Sequence, residues 1–197
     1  MKKIVSLIFI FLLLCGCGKK NPIVTMDVEN FGIIEIELYP DIAPNTVANF
    51  VNLIESGFYD GNTIHRVVPN FVIQGGDPDG NGTGGPGYNI KGEFSQNGFT
   101  NKLSHDRGVI SMARGNDADT AGSQFFIVLD NSAKTSLDEK YASFGKVIKG
   151  MDVVDKIAKS EVANEESGLL KELITIKKVT VETFEQKYKV KKITPTE

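Results

Sequence analysis

The stretch NTIHRVVPNFVIQGGDP, Asn62–Pro78, carries the pattern that decides the fold, and it contains one residue that breaks that pattern. Arg66 stands among Ile64, Val67, Val68, Phe71, Val72 and Ile73, a run that belongs out of water. The nearest acids in sequence, Asp60 and Asp77, lie outside it. A guanidinium is effectively always charged, and it is costly beside apolar surface unless paired or hydrogen-bonded. Two readings compete. Either the stem packs while the head reaches water or a carboxylate, or the charge is kept there for chemistry.

The start of the chain has its own logic. MKKIVSLIFIFLLLCGCGKK opens on two lysines, runs apolar from Ile4 to Leu14 apart from Ser6, and ends in small residues and cysteine. That is the plan of a secretory signal. The run of eleven residues is too short to span a bilayer as a helix. Leu14-Cys15-Gly16-Cys17 resembles a bacterial lipobox, in which a small residue precedes the modified cysteine; Gly16 before Cys17 fits and Leu14 before Cys15 does not. The expectation is a signal peptide over 1–16, a lipidated Cys17, a short linker over 17–22 and an extracytoplasmic protein anchored to a bacterial membrane. The alternative is an ordinary cleaved signal with unmodified cysteines.

Loss of residues 1–16 removes Lys2 and Lys3 and takes the formal net charge of the 197-residue chain from −3 to −5. Mild acidity argues against a nucleic-acid partner, which favours a basic face. Both cysteines lie in the leader, so the folded part has no internal disulfide or thiolate metal site. What remains is long enough for one domain with a good core.

From Ile23 the chain gives strand signals. IVTMDVE and GIIEIELY alternate around NFG and predict a hairpin. Pro44 opens a helix in which Val47, Phe50, Val51 and Ile54 form one stripe, with Gly57 as its stop. A second helix follows Gly150, with Met151, Val154, Ile157 and Ala158 on one face. Between them, short apolar runs at 63–68, 71–74, 108–113, 124–129 and 143–148 are separated by Gly, Asn, Asp and Pro clusters, and LITIKKVTVETF is a late strand. Many short strands and two helices favour a barrel or sandwich. Residues 183–197 are expected to be a charged, loosely held tail.

Three motifs are decoys. GNGTGG, Gly80–Gly85, matches a nucleotide-binding glycine pattern, but Pro86 follows and no helix opens to face a phosphate, so it reads as a tight surface loop. SHD, Ser104–Asp106, holds the residue types of a hydrolase triad, yet three consecutive residues cannot readily form the relay, and it reads as a polar turn. His65, beside Arg66, reads as a packed or hydrogen-bonded histidine rather than a base.

In SQFFIVL, Phe125, Ile127 and Leu129 share one face, and Gln124, Phe126 and Val128 the other. A strand apolar on both faces is covered twice or lines a groove. IHRVVPNFVIQGGD, GVISMAR, GSQFFI and SFGKVIKGMDVVDKI together resemble the cyclophilin family of peptidyl-prolyl cis-trans isomerases, in family order and spacing, over residues 23–182. The eleven-residue step from Met112 to Ser123 resembles the family's bacterial branch.

The resemblance implies an all-β fold, a closed eight-stranded antiparallel β-barrel capped by two α-helices, that works as a monomer without cofactor or metal. It implies that Arg66 is the catalytic arginine and Gln74 the glutamine that orients it. Phe71, Val72, Phe126 and Leu137 then wall the pocket for a proline ring. Ala113 and Arg114 offer backbone to an extended substrate, and Gln124 and Tyr141 are further groove positions. The implied partners are proline-containing segments of exported proteins. The rival reading is a module that holds such segments as a chaperone or assembly part, with catalysis incidental. One departure stands out: the family's best-known member has tryptophan where this chain has Ser136, so weak binding of cyclosporin is expected. Val72 replaces a methionine of that member and Arg114 an asparagine.

Overall fold

The computed structural model describes residues 19–194; the signal peptide expected over 1–16 and Cys17 lie outside the described residues. Eight strands close a barrel: β1 (Ile23–Val28), β2 (Gly32–Leu38), β3 (Thr63–Val68), β4 (Val72–Asp77), β5 (Val109–Met112), β6 (Phe125–Val128), β7 (Ser143–Lys149) and β8 (Leu169–Glu182). The order around the barrel is β1-β2-β7-β5-β6-β4-β3-β8, with every neighbouring pair antiparallel.

Strand alternation sorts the side chains. Ile34, Ile36 and Leu38 of β2 are fully buried inside, while Ile33 on the other parity is 41% exposed. Ile73, Ile127 and Ile110 pair across β4, β6 and β5 and fill the core. β6 is buried on both faces: Phe125 and Ile127 join the inner core, and Phe126 and Val128 a second cluster outside the barrel wall. The two-sided apolar pattern therefore marks an outer face that is packed at Val128 and borders a hollow at Phe126.

Two helices fall where the apolar stripes put them. α1 (Pro44–Glu55) buries Val47, Phe50, Val51 and Ile54, and Gly57 ends it with φ of 72°. Its first turn is capped from far away in sequence. The buried Glu93 carboxylate accepts hydrogen bonds from the backbone N–H of Asn45 and Thr46 and from the Thr46 hydroxyl, at 3.0, 2.8 and 2.7 Å. It satisfies donors that every helix start leaves open and sits at the positive end of the helix dipole. α3 (Met151–Ile157) buries Val153, Val154 and Ile157. A third helix, α2 (Lys134–Leu137), is one turn long and so offers no periodicity to read, which is why only two helices were expected.

The tail is a correction. Phe184 and Glu185, with φ of 51° and 64°, reverse the chain after β8, and the segment then runs along α1. Asn52 donates to the Tyr188 carbonyl, Asn45 exchanges hydrogen bonds with the backbone of Lys191, and Ile193 exchanges two with Asn89. Tyr188 and Val190 pack on the main core. Residues 183–194 are thus held, because alternate residues turn inward while the intervening lysines dominate the composition.

Replacing Glu93 with Ala leaves two backbone donors and a buried hydroxyl without their acceptor. The expected loss is about 1–3 kcal/mol, read as a lower urea midpoint with an unchanged slope. An unaltered midpoint contradicts the capping role.

Candidate active site

A β-bulge explains how an arginine sits inside an apolar run. Ile64 pairs with Gly75 and Arg66 with Gln74, so His65 is an extra residue on β3. In a regular strand Ile64 and Arg66, two residues apart, would share a face. With the bulge, Ile64 and Val67 both enter the core while Arg66 turns outward. Glycine makes room for the irregularity: a Cβ on Gly75 would stand 2.8 Å from the Thr63 carbonyl oxygen. His65 itself is fully buried, with no hydrogen-bond partner on either ring nitrogen among the described residues. It is a packing residue.

The outward register then runs as one row across five strands: Arg66, Gln74, Phe126, Ser111 and Ser143 are paired in turn. Arg66 Nε donates to the Ser167 carbonyl at 2.8 Å, and Nη1 to Gln74 Oε1 at 3.1 Å. Gln74 Nε2 donates to Gln124 Oε1 at 2.9 Å, and Gln124 Nε2 to the carbonyls of Gly82 and Gly84, both at 3.0 Å. The glycine loop is therefore the far support of the chain that holds the guanidinium. No ion pair to Arg66 occurs among the described residues. Burial lowers its pKa, and a guanidinium nonetheless stays charged in proteins. Two of its five N–H donors are used, which leaves the remainder for a ligand.

Arg66 and Gln74 face Phe71, Val72, Phe126 and Leu137 across a hollow of about 220 Å³, closed by Ala113, Arg114 and Tyr141. Gln124 lies in the adjoining cleft of about 590 Å³ rather than in the hollow itself. The Ala113 N–H is already given to the Gln124 carbonyl at 2.9 Å; its own carbonyl and the Arg114 N–H have no backbone partner among the described residues. The Arg114 side chain is occupied as a brace. It donates to the carbonyls of Lys140, Gly115 and Asn116 and lies over the Tyr141 ring at 4.8 Å.

Phe126 is gripped from two sides. Tyr141 meets it edge-on at 5.5 Å, and His105 stacks on it at 6.0 Å with rings 21° apart. His105 is buried and fixed at both nitrogens: Nδ1–H donates to Asp138 Oδ1 at 2.8 Å, and the Ser111 hydroxyl donates to Nε2 at 3.0 Å. Asp138 accepts only, which assigns the tautomer. Asp138 also accepts from the His105 N–H and the Ser104 hydroxyl, and it follows Leu137 directly. SHD is therefore more than a surface turn: Ser104 and His105 tie two walls of the hollow together. Ser111 is fully buried, which excludes it as a nucleophile for a substrate in the groove. Ser167, His105, Ser111 and Asp138 were not among the expected site residues. Ser167 meets Arg66 across 101 positions through its backbone, so no side-chain pattern announces it.

A closed barrel with an apolar hollow on its outer wall, bordered by an unpaired guanidinium and open backbone groups, defines a groove for an extended peptide with a compact apolar side group. The chain belongs to the cyclophilin family: residues 23–181 match the family described as cyclophilin type peptidyl-prolyl cis-trans isomerase/CLD. It is 48% identical over 138 residues to peptidyl-prolyl cis-trans isomerase B of Bacillus subtilis, covering 70% of this chain and 92% of that protein. It is 46% identical over 165 residues to a peptidyl-prolyl cis-trans isomerase of Acinetobacter baylyi, covering 80% and 83%. The crystal structure of a Cryptosporidium parvum cyclophilin type isomerase in the presence of the dipeptide Ala-Pro superposes with a TM-score of 0.71 at 31% identity, covering 81% of this chain and 98% of that one. The protein is a peptidyl-prolyl cis-trans isomerase.

Burial pushes the pKa of both His65 and His105 below the ordinary 6.5, in His105 against the opposing pull of Asp138. Below about pH 6.5 the unfolded chain therefore binds more protons than the folded one, and stability falls as pH drops. Urea midpoints are expected to be level above neutrality and lower at pH 5.5 than at pH 7.5 (~6.5 being the ordinary histidine value). A midpoint that rises on acidification contradicts this.

Proposed function

We propose that Arg66 is the catalytic group of this isomerase and that it acts by donating a hydrogen bond to the proline nitrogen of the twisted amide. Amide resonance sets a barrier of ~18–20 kcal/mol against rotation of an X-Pro bond. At the halfway point resonance is lost and the nitrogen carries a lone pair, so a donor aimed there stabilises the transition state more than the planar ground state. A turnover of ~10³ per second needs a barrier lowered by roughly 7 kcal/mol. A charged donor in a water-poor groove, with the ring immobilised against Phe71, Phe126 and Leu137, is of the right size. Gln74 is the positioning residue, while the Ala113 carbonyl and Arg114 N–H pair with the extended peptide. The observation that carries the reading is that the Arg66 charge is held by two neutral oxygens and compensated by no carboxylate among the described residues.

In the cell, the proposed substrates are exported proteins whose folding waits on proline. The enzyme works outside the cytoplasm as a monomer, anchored by lipid on Cys17. Support comes from the leader pattern and from the short connection of Cys17 to β1.

Substitution of Arg66 by Ala is expected to lower kcat/KM toward a proline peptide about 10²–10³-fold, with the barrel intact by circular dichroism. Activity within a factor of about two of wild type would refute the role of the guanidinium. Cyclosporin is expected to bind weakly, because the exposed Ser136 on α2 offers the groove no indole. An inhibition titration with tight, stoichiometric binding overturns that.

A further inference from the structure

The C-terminal segment carries a row of charge that the isomerase groove does not use. Along EQKYKVKKI the side chains alternate: Tyr188 and Val190 turn to the core, and Lys187, Lys189 and Lys191 are exposed on the other side. The row is fixed in place by Asn45 and Asn52 of α1, which bond to the backbone of Lys191 and Tyr188. Its near end adjoins the start of the described chain. Gln186 donates to the Lys20 carbonyl at 2.6 Å, and the Lys20 ammonium lies 4.9 Å from the Phe184 ring centre. Lys19 and Lys20 therefore extend the same strip.

Between residues 23 and 182, Lys134 and Lys156 pair with Asp106 and Asp152, and Lys149, Lys171, Lys177 and Lys178 with Glu35, Glu161, Asp27 and Asp60. Lys91, Lys102, Lys140, Lys146 and Lys159 make no ion pair among the described residues and, unlike the strip, do not alternate along one segment. Among the described residues, Lys19, Lys20, Lys187, Lys189, Lys191 and Lys192 make no ion pair, although Lys192 caps the Tyr88 ring. Glu182 and Glu185 stand at the start of the strip, where Glu182 accepts from the Phe184 N–H. Beside it, Asp41 lies near Tyr188 and Glu37 accepts from Asn21, so the lysines outnumber the acids along it without being alone. The contrast with the rest of the molecule is large: residues 23–182 hold 23 carboxylates against 14 lysines and arginines.

We propose that this lysine strip is a docking surface for the anionic phospholipid headgroups of a bilayer. The inference rests on the membrane location proposed above. Lys20 is three residues from Cys17, a reach of at most ~11 Å, so a chain entering from the bilayer delivers this edge of the barrel to the headgroup layer. Lysines near such a surface are attracted to it, whereas a barrel with excess carboxylates is repelled; the strip therefore sets which face meets the membrane.

The test uses residues 19–197, which contain every strand and core residue described above, with isomerase activity on a soluble peptide as the check of folding. Binding is measured by co-sedimentation with vesicles of phosphatidylcholine alone and of equimolar phosphatidylcholine and phosphatidylglycerol. The wild-type chain is expected on the anionic vesicles only, and to come off at high salt. The triple variant K187Q/K189Q/K191Q is expected to bind them on the order of 100-fold more weakly with unchanged peptide turnover. Equal binding to both vesicles, no binding to either, or full binding by the triple variant overturns the proposal. The mass of the mature N-terminus of the full-length protein tests the anchor separately: an unacylated start refutes the lipidation of Cys17 and leaves the vesicle result standing.

Discussion

A positive charge without a negative partner is the constraint around which this molecule is organised. Arg66 is partly withdrawn from water and held by the Ser167 carbonyl and the Gln74 side chain, both neutral. A carboxylate in either place would hold the guanidinium as firmly, but it would cancel the charge and occupy the donors. Neutral acceptors fix direction and leave the field uncompensated. The remaining supports can be traced outward from that choice: Gln74 is held by Gln124, Gln124 by the Gly82 and Gly84 carbonyls, and Ser167 by the turn before β8.

The barrel supplies the rigidity this requires. Its inner core and its outer cluster share the same wall, since β4, β5 and β6 present one face to each. Phe126 is then fixed by Tyr141 on one side and by His105 on the other, with His105 locked by Asp138 and Ser111. An enzyme that makes and breaks no covalent bond depends on holding one part of its substrate still while another turns. Packed walls on a closed sheet serve that end better than mobile loops.

Much of this was legible in the chain. The α1 and α3 stripes, the β1–β2 hairpin and the two-faced β6 all follow from periodicity, and the motifs around Arg66 and Phe126 named the hollow. What stayed hidden has a common physical cause: it depends on contacts between distant backbones. The bulge at His65 shifts strand register, which a strict alternation cannot register. Ser167 contributes a carbonyl, and every residue has one. The tail read as loose because its lysines dominate composition, while its attachment depends on Tyr188, Val190 and two asparagines on a helix far upstream. The glycine loop read correctly as a loop, but its service as an anchor for Gln124 became visible only with the strands in place.

The central claim is spatial: a guanidinium N–H must meet the proline nitrogen while the ring fills the hollow. The most direct measurement is a crystal structure of the protein with a bound X-Pro peptide. The account predicts the ring between Phe71, Phe126 and Leu137, and an Arg66 nitrogen within about 2.7–3.2 Å of the imide nitrogen. A ring bound elsewhere, or a guanidinium turned to bulk water beside an occupied hollow, would contradict it.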